Sequence, residues 1–556
     1  MFKVFSYPWF RLDPLNGFIA AAIILFSILI PLYSFRFMQG RKNLGQYYLY
    51  IFLTGIASLG AVLANNLVLL LACWGFLGLT LFLLINMGEH ASLAAKKSLI
   101  IVGGSDALML LGIGIIYYLA QTMQMDLIKI EANNGLAIFA YACLAIGCFA
   151  KAGAMPFHSW IPDCAQNAPL PVVAYLPASL DKLLGIYLLA RLSLNLFIMN
   201  TAMNTLLMII GAFTIIAAVM MALVQHNMKR LLGYHAISQV GYMVLGIGTG
   251  NPIGIAGGIF HMLNNTLYKS CLFLSAGNVE YRAKTSELDE LGGLSKFMPL
   301  TYICCLIASL SISGIPPFNG FASKWLIYQG LINQSGAGGW GLRLVGIFCL
   351  VAAMFGSGLT LASFMKLLHA VFLSQREIPL KSKEIKEVPF SMWFPTAILA
   401  FICVVFGVFA FSLPLKYFIF PAVSTYQPVS RDILLGNWSP VLVTALICVG
   451  LVFGFLFFKL SRVNLRQDSN FTGGENTEFA AETNVTGTQF YNTIQEMGFL
   501  PRIYKMAGAG VFDIYEQAKK IFSLSRLLQH LHNGVLPTYL AWMLLGMVGI
   551  FIFFLK

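Results

Sequence analysis

This sequence predicts an all-α, multi-pass membrane protein of about fourteen transmembrane helices arranged as two inverted five-helix repeats. Three observations carry that reading. Of 556 residues, 58% are apolar and only 10% charged, against roughly 25% charged in a soluble domain. Apolar runs long enough to cross a ~30 Å hydrocarbon layer recur from Gly17 to the C-terminus. Their period is that of helices rather than of an alternating barrel. Finally, two of the runs are interrupted by the same motif.

The spans fall at about 18–35, 47–64, 66–86, 98–120, 136–158, 171–195, 203–224, 231–250, 252–278, 298–330, 342–373, 391–412, 439–459 and 536–555. The first follows Asp13-Pro14 without a small-residue cleavage signal, so it is expected to be a retained helix. Loops after odd-numbered spans hold fourteen basic residues before the last such loop, whereas loops after even-numbered spans hold three, Lys129, Lys416 and Arg431. That bias places the odd loops in the cytoplasm and both termini outside. The net charge of +13 is accordingly assigned to cytoplasmic loops and not to nucleic acid.

Segment 461–535 differs in kind. It starts polar and Gly/Asn/Thr-rich, then becomes amphipathic, with aromatics and aliphatics at helical spacing beside Lys519, Lys520 and Arg526. This suits a cytoplasmic lateral helix on a membrane surface or on partner subunits. Residues 536–556 supply a final anchor helix.

The fifth span reads "KAGAMPFHSW" and the tenth "SGIPPFNGFASKW", both containing Gly-x-x-Pro-Phe. Proline inside a membrane helix removes a donor and clashes with the preceding turn, freeing carbonyls that need other partners. Breaks are therefore expected at Pro156 and at Pro316-Pro317. The two spans are five apart and cross in opposite directions, a recurring transporter pattern. The implied organisation is an N-terminal helix (1–46), a first repeat (47–200), a second repeat (201–375), two accessory helices (376–460), the cytoplasmic segment (461–535) and the anchor (536–556).

Ionisable residues inside these spans stand out. Lys151 precedes Pro156, Lys324 follows Pro317, and Lys182, Lys269 and Asp106 lie in otherwise apolar text. A lysine at a helix centre costs about 3 kcal/mol on insertion scales, so four of them rival a domain's net stability. Lysines near helix ends can snorkel to the interface, which is the expectation for Lys366 and for Lys229-Arg230. In "FHMLNNTLYKSCLFLSAG" (260–277), His261, Asn265 and Lys269 are spaced by four. Such positions drift only ~40° while rising ~12 Å, giving a polar ladder. Imidazole and buried amines exchange protons, and an amide can bind water on either side. The ladder thus reads as part of a hydrated proton path.

Ten cysteines are scattered without a CxxC or metal-ligand spacing; Cys304-Cys305 and Cys143/Cys148 read as small buried hydrophobes. No cofactor, metal site, nucleotide loop or catalytic nucleophile is expected in this chain.

At "KAGAMPFHSWIPDCAQNAPLPVVAYLPASLDKLLGIYLLAR" (151–191) the chain resembles the antiporter-like membrane subunits shared by respiratory complex I, energy-converting group 4 hydrogenases and multisubunit cation/proton antiporters. "HNMKRLLGYHAISQVGYM" (226–243), "FHMLNNTLYKSCLFLSAG" and "SGIPPFNGFASKW" match further signature stretches in the same order. The resemblance covers about 12–375 and is closest to the hydrogenase-type members; the C-terminal part resembles the lateral helix and anchor of some large members. It implies that Lys151 and Lys269 are the central lysines of two half-channels and Lys324 the terminal lysine at the exit. His261 matches the first histidine of the bridging helix, and Asn265 stands where some relatives have a second one. Lys182 lies within a residue of the position where several relatives carry a bridging lysine. Partners are then other membrane subunits, both small ion-channel-like and further antiporter-like ones, with a peripheral redox module, in a prokaryotic cytoplasmic membrane.

Two departures follow from the same comparison. "DPLNGF" (13–18) matches sequence before the third helix of longer relatives, so their first two helices are expected to be missing. Where relatives have Trp-Glu, with the glutamate paired to the central lysine, this chain reads Trp74-Gly75. Asp106 is the expected substitute; Glu89 is a weaker one, and Asp181 is set aside because it does not face its neighbour Lys182 on a helix.

The leading function is proton translocation within a redox-driven complex. The alternative is Na⁺(K⁺)/H⁺ exchange without redox chemistry, for which Asp106, Ser105 and Thr80 would be the oxygen ligands. A decayed scaffold is weighed down by the retained lysines, and an enzyme in its own right by the missing catalytic motifs.

Overall fold

The computed structural model describes residues 5–337, 339–374, 385–425, 438–460, 487–522 and 534–554. They fall into two units, Met1–Met497 and Gly498–Lys556.

In the first unit, β1 (Phe5–Ser6) and β2 (Arg11–Leu12) form a short antiparallel pair ahead of α1 (Pro14–Phe37). Asp13 starts α1. Its carboxylate accepts the N–H groups of Leu15 and Asn16 at 3.0 Å, while the Asn16 amide accepts the Asp13 N–H at 2.7 Å. This reciprocal box satisfies donors that a helix start leaves open. The other Asp13 oxygen pairs with Arg11 and with Arg191, tying the start of α1 to a distant helix end.

Next come α2 (Leu44–Leu63), α3 (Leu67–Ile85), α4 (Ser92–Ala120) and α5 (Gly135–Ala152). α5 stops at Gly153, whose φ of +81° is a conformation that glycine adopts without strain. A turn containing Pro156 leads into α6 (Trp160–Asn167). The sixth span is a rod from Leu170 to Leu196: α7 (Leu170–Tyr175), a π turn, α8 (Asp181–Arg191), and a second π turn. Short strands Ile130–Glu131 and Phe197–Ile198 pair in parallel at its end.

α9 (Thr201–Leu223), α10 (Met228–Gly248) and α11 (Pro252–Ala283) each begin on an asparagine cap. The tenth span is split like the fifth: α12 (Pro299–Ser313) ends at Gly314, φ +80°, and α13 (Asn319–Ala337) restarts after Pro316-Pro317. α14 (Trp340–Leu368), α15 (Phe390–Val408), α16 (Phe420–Ser424), α17 (Pro440–Leu460) and α18 (Asn492–Glu496) complete the unit.

Each of the fourteen expected stretches is helical, and among the described residues ten helices are long and apolar enough to cross a membrane. The molecule is an all-α polytopic membrane protein.

Polarity runs inside out. α10 and α11 are buried almost end to end although they carry the histidines and Lys269. α17, the most apolar candidate span, buries no residue after Pro440. In lipid an apolar surface gains nothing by moving inward, so packing selects small residues instead. A Cβ on Gly246 would come within 2.8 Å of Gly258 backbone, and one on Gly330 within 2.4 Å of Gly254. α10, α11 and α13 therefore meet backbone to backbone.

The second unit contains α19 (Leu500–Gly508), α20 (Ile514–Phe522) and α21 (Leu536–Phe554). One long lateral helix was the expectation. Residues 461–486 and 523–533 lie outside the described residues. The described stretch is a set of short helices, interrupted at Gly498 (φ +54°) and Gly510 (φ +72°). Glycine in the left-handed conformation ends a helix, which is why the apolar periodicity around it does not become a single rod.

Candidate ion-translocation path

The two broken helices hold lysines in the same manner. A helix C-terminus presents unpaired carbonyls and a partial negative charge. At the first break, Lys182 from α8 donates to the Ala152 carbonyl, the last residue of α5. At the second, Lys324 from α13 folds back to the carbonyls of Ile312 (2.9 Å) and Ser313 (3.4 Å), the end of α12. The carbonyls freed by each break thus receive an ammonium group. Such a contact contributes up to about 2 kcal/mol when partly buried, less than the several kcal/mol that desolvating an ion costs. Further compensation has to come from elsewhere in the bundle.

Lys151 lies in the last turn of α5 and is fully buried. Its amine sits 4.6 Å from the Trp74 ring centre and 3.4 Å from the Trp74 carbonyl. Two acids act on it electrostatically, Asp181 more strongly than Asp106. Asp181 is fully buried, and neither carboxylate oxygen has a hydrogen-bond partner; it feels both Lys151 and Lys182. One turn on, a Cβ at Gly185 would lie 2.8 Å from Ala152 and from the Cys148 carbonyl. α8 therefore presents Asp181 and Gly185 to the end of α5. Asp181 does not face Lys182 along its own helix, and the packing of α8 turns it toward the end of α5, which carries Lys151.

Asp106 is half-buried on α4 and borders Gly78 of α3, where a Cβ would meet its Oδ2 at 3.6 Å. Trp74 lies beside both Asp106 and Lys151. Gly75 is exposed, and a Cβ there would meet nothing within 4 Å. A longer side chain at that position would start on the outer surface of α3.

The second half is built on facing stripes. On α11, His261, Asn265 and Lys269 are all fully buried. His261 Nδ1 is 2.9 Å from Ser323 Oγ, and Nε2 is 3.0 Å from Gln239 Oε1. Lys269 donates to the Leu232 carbonyl at 2.8 Å. Neither polar side-chain atom of Asn265 has a protein partner, so this amide is the rung suited to water. Opposite, α10 carries Leu232, His235, Gln239 and Tyr242, spaced three, four and three. That is one helix face, rising ~15 Å. It runs from the Lys269 amine at Leu232 to the Lys324 amine, 4.6 Å from the Tyr242 ring centre.

His235 sits between the two lysines and feels the charge of both. Its Nε2 is 2.7 Å from Ser363 Oγ, and its Nδ1 has no partner. Lys269 in turn feels Lys182. The structure thus brings Asp181 and Lys182 of α8 to the end of α5 that carries Lys151, and sets His235 and His261 between the Lys269 and Lys324 amines along α10. Asp106 stands at the margin of the first group. The sequence reading singles out neither His235 nor Gln239, although an ionisable residue within an apolar span is itself the signal that finds the histidine.

The snorkelling expectation fails for Lys366, which is fully buried and donates to the carbonyls of Leu223 and Gln225 at 2.8 Å each. Those carbonyls terminate α9 and need donors more than the amine needs the interface. Lys229 pairs with Glu280 at 2.8 Å, and Arg230 reaches Gln166 at 3.4 Å.

A many-span helical bundle with several ionisable side chains buried inside it defines a multi-pass membrane protein. The chain belongs to the NADH:quinone oxidoreductase/Mrp antiporter transmembrane family, which residues 64–350 match. It is 33% identical over 417 residues to the A1 subunit of the Na(+)/H(+) antiporter of Staphylococcus haemolyticus (strain JCSC1435), covering 69% of this chain and 51% of the relative. Against the corresponding Na(+)/H(+) antiporter subunit of Bacillus subtilis (strain 168), it is 29% identical over 450 residues, covering 76% and 56%. The chain spans about half the length of these curated relatives. Among solved structures, a chain of the membrane-bound sulfane sulfur reductase, an archaeal respiratory membrane complex, shares the fold with a TM-score of 0.80 at 22% identity, over 99% of this chain and 91% of that one. The Mrp complex from Dietzia sp. DQ12-45-1b gives 0.69 at 20% identity, over 78% and 88%.

Proposed function

We propose that this chain moves protons across the membrane as an antiporter-like subunit of a multisubunit complex, powered by redox chemistry in other subunits. The observation that supports the reading is the set of ionisable side chains buried inside the bundle, Lys151, Asp181, Lys182, Lys269, His235 and Lys324. Hydrogen-bonded termini and orphaned polar atoms suit proton relay through water: Asn265, His235 Nδ1 and Gln239 Nε2 line the second half without protein partners. Lys151 and Lys269 act as the central amines, Lys182 connects them, and Lys324 delivers to the exit. Asp181, buried on α8 where that helix packs on the end of α5, favours a proton on the Lys151 and Lys182 amines by its charge and so favours passage between them.

The loops after odd-numbered spans face the cytoplasm in this reading, and the partners are further membrane subunits with a peripheral redox module. A second reading, exchange of Na⁺ for H⁺ without redox chemistry, is favoured by the relatives themselves, which are named as Na⁺/H⁺ antiporter subunits. Membrane vesicles carrying the complete assembly separate the two. Under the first, an electron donor drives a pH gradient without added Na⁺; under the second, a Na⁺ pulse collapses or builds the gradient and the donor does nothing.

The acids also rank. Asp181→Asn is expected to slow proton uptake roughly tenfold, the equivalent of about 1.4 kcal/mol of lost charge interaction. Asp106→Asn, half-buried and second in strength at Lys151, should slow it less, and Asp181→Glu should recover part of the rate. Dye-monitored uptake in those vesicles decides; a larger effect at Asp106 would return the role to that residue.

A further inference from the structure

Beyond this path, α14 and the turn that follows it carry a polar ladder of their own. Ser363, Lys366 and His369 lie at i, i+3 and i+6 on one face, spanning ~9 Å. Ser363 and Lys366 are fully buried, while His369 is half-buried. The inner end touches the path, since Ser363 Oγ is 2.7 Å from His235 Nε2. The outer end reaches water. Lys366 donates to the Gln225 carbonyl at 2.8 Å, one residue before His226, whose Nδ1 is 2.9 Å from Asp289 Oδ2, the two side chains being 49% and 42% exposed.

Every element packed around this corner contributes a polar group. α9 ends on the Leu223 and Gln225 carbonyls that hold Lys366. The α9–α10 loop brings His226, and the α11–α12 loop brings Asp289. The turn before α18 brings Thr488, which donates to Asp289, and Tyr491, which donates to the Ala362 carbonyl at 3.0 Å. His369 packs on Phe490 at 5.3 Å, and its Nδ1 is a buried atom without a partner. Lys366 and His369 lie beyond residue 350, outside the stretch that matches the family.

The geometry points to a proton inlet: His226 and Asp289 collect protons at the aqueous edge, Lys366 carries them inward, and Ser363 hands them to His235. The inlet rests on the proton-translocating reading and deepens it. The second half of the bundle then has its own supply and does not depend wholly on transfer from Lys151. No covalent bond between heavy atoms changes; a proton enters at a carboxylate or imidazole, crosses the amine, and leaves to the His235 ring.

The test uses membrane vesicles carrying the whole assembly, with subunit content checked by immunoblot. Lys366→Met should slow proton uptake several-fold, transfer from Lys151 remaining, and added imidazole should restore part of the rate. Lys366→Arg separates transport from structure. Arginine keeps the charge and the donors to Leu223 and Gln225, yet does not release its proton, so this variant should assemble normally and still move protons slowly. Parental rates in Lys366→Arg overturn the inlet in favour of a helix cap. Should Lys366→Met not assemble, the double variant His226→Gln/Asp289→Asn at the exposed edge replaces it: several-fold slower uptake supports the inlet, and the parental rate overturns it. Lys269→Met runs alongside. If Lys269→Met is inert, the translocation reading itself falls; if it is slow while the inlet variants are not, only the inlet falls.

Discussion

Lys269→Met will lower proton movement by the complete assembly a hundredfold or more, the scale of a deleted proton-transfer group, while leaving the protein at least as stable as its parent. The two outcomes have one cause. Lys269 is fully buried on α11, its ammonium held by a single carbonyl, that of Leu232, and flanked by the rings of Phe273 and Phe364 at 5.7 Å. The charge it feels, that of Lys182, has the same sign. One carbonyl and two aromatic rings offset only part of the loss of water, which costs several kcal/mol for an ion. Methionine fills nearly the same volume without the charge and so removes that cost. A residue that weakens the fold in this way is kept for what it does. Dye-monitored uptake and thermal unfolding of the purified assembly give the two readings. Parental transport, or a large loss of stability with transport intact, would mean that Lys269 is a packing residue.

Asp13→Ala is expected to cost about 3–5 kcal/mol of stability, the usual penalty for stripping one partner from a buried ion pair. Asp13 Oδ2 accepts from Arg191 at 2.6 Å and forms an ion pair with Arg11 Nε at 3.0 Å, and both Asp13 and Arg191 are almost wholly buried. Removing the carboxylate leaves the Arg191 guanidinium to neutral acceptors such as Tyr187 and Asn195, and it also uncaps α1. Restoring neutrality should recover much of the loss, so Asp13→Asn/Arg191→Met should unfold later on heating than Asp13→Ala alone. A shift equivalent to less than about 1 kcal/mol for Asp13→Ala would show the pair to be solvated and incidental.

These two sites differ in how far the sequence announces them. The α11 ladder around Lys269 is plain, since His261, Asn265 and Lys269 share a face of any helix they form, whereas nothing near Asp13 points to Arg191. The breaks at Gly153 and Gly314 are likewise visible from Gly-x-x-Pro-Phe, because proline geometry and the left-handed glycine are properties of the local chain. The facing stripe on α10 has the periodicity of the α11 ladder, but nothing local says that Leu232, His235, Gln239 and Tyr242 turn toward α11 and not toward lipid. The settings of Asp181 and Lys366 escape the sequence for a related reason. Their roles depend on partners some thirty residues away for Asp181 (Lys151) and more than 140 for Lys366 (Leu223). The arrest of the lateral segment at Gly498 and Gly510 could have been read from those glycines, had the apolar periodicity not been followed across them.

Helix positions, their two interruptions and the set of charges inside the bundle were dictated by the chain alone, through hydrocarbon thickness, backbone sterics and residue type. Which charge meets which was decided by packing. An amine or carboxylate finds its hydrogen-bond and charge partners only within a few ångströms, and the groups within that distance of Lys151, Lys269 and Lys366 come from other helices. Only the crossing of glycine-lined α10, α11 and α13 and the docking of α8 on α5 bring them there.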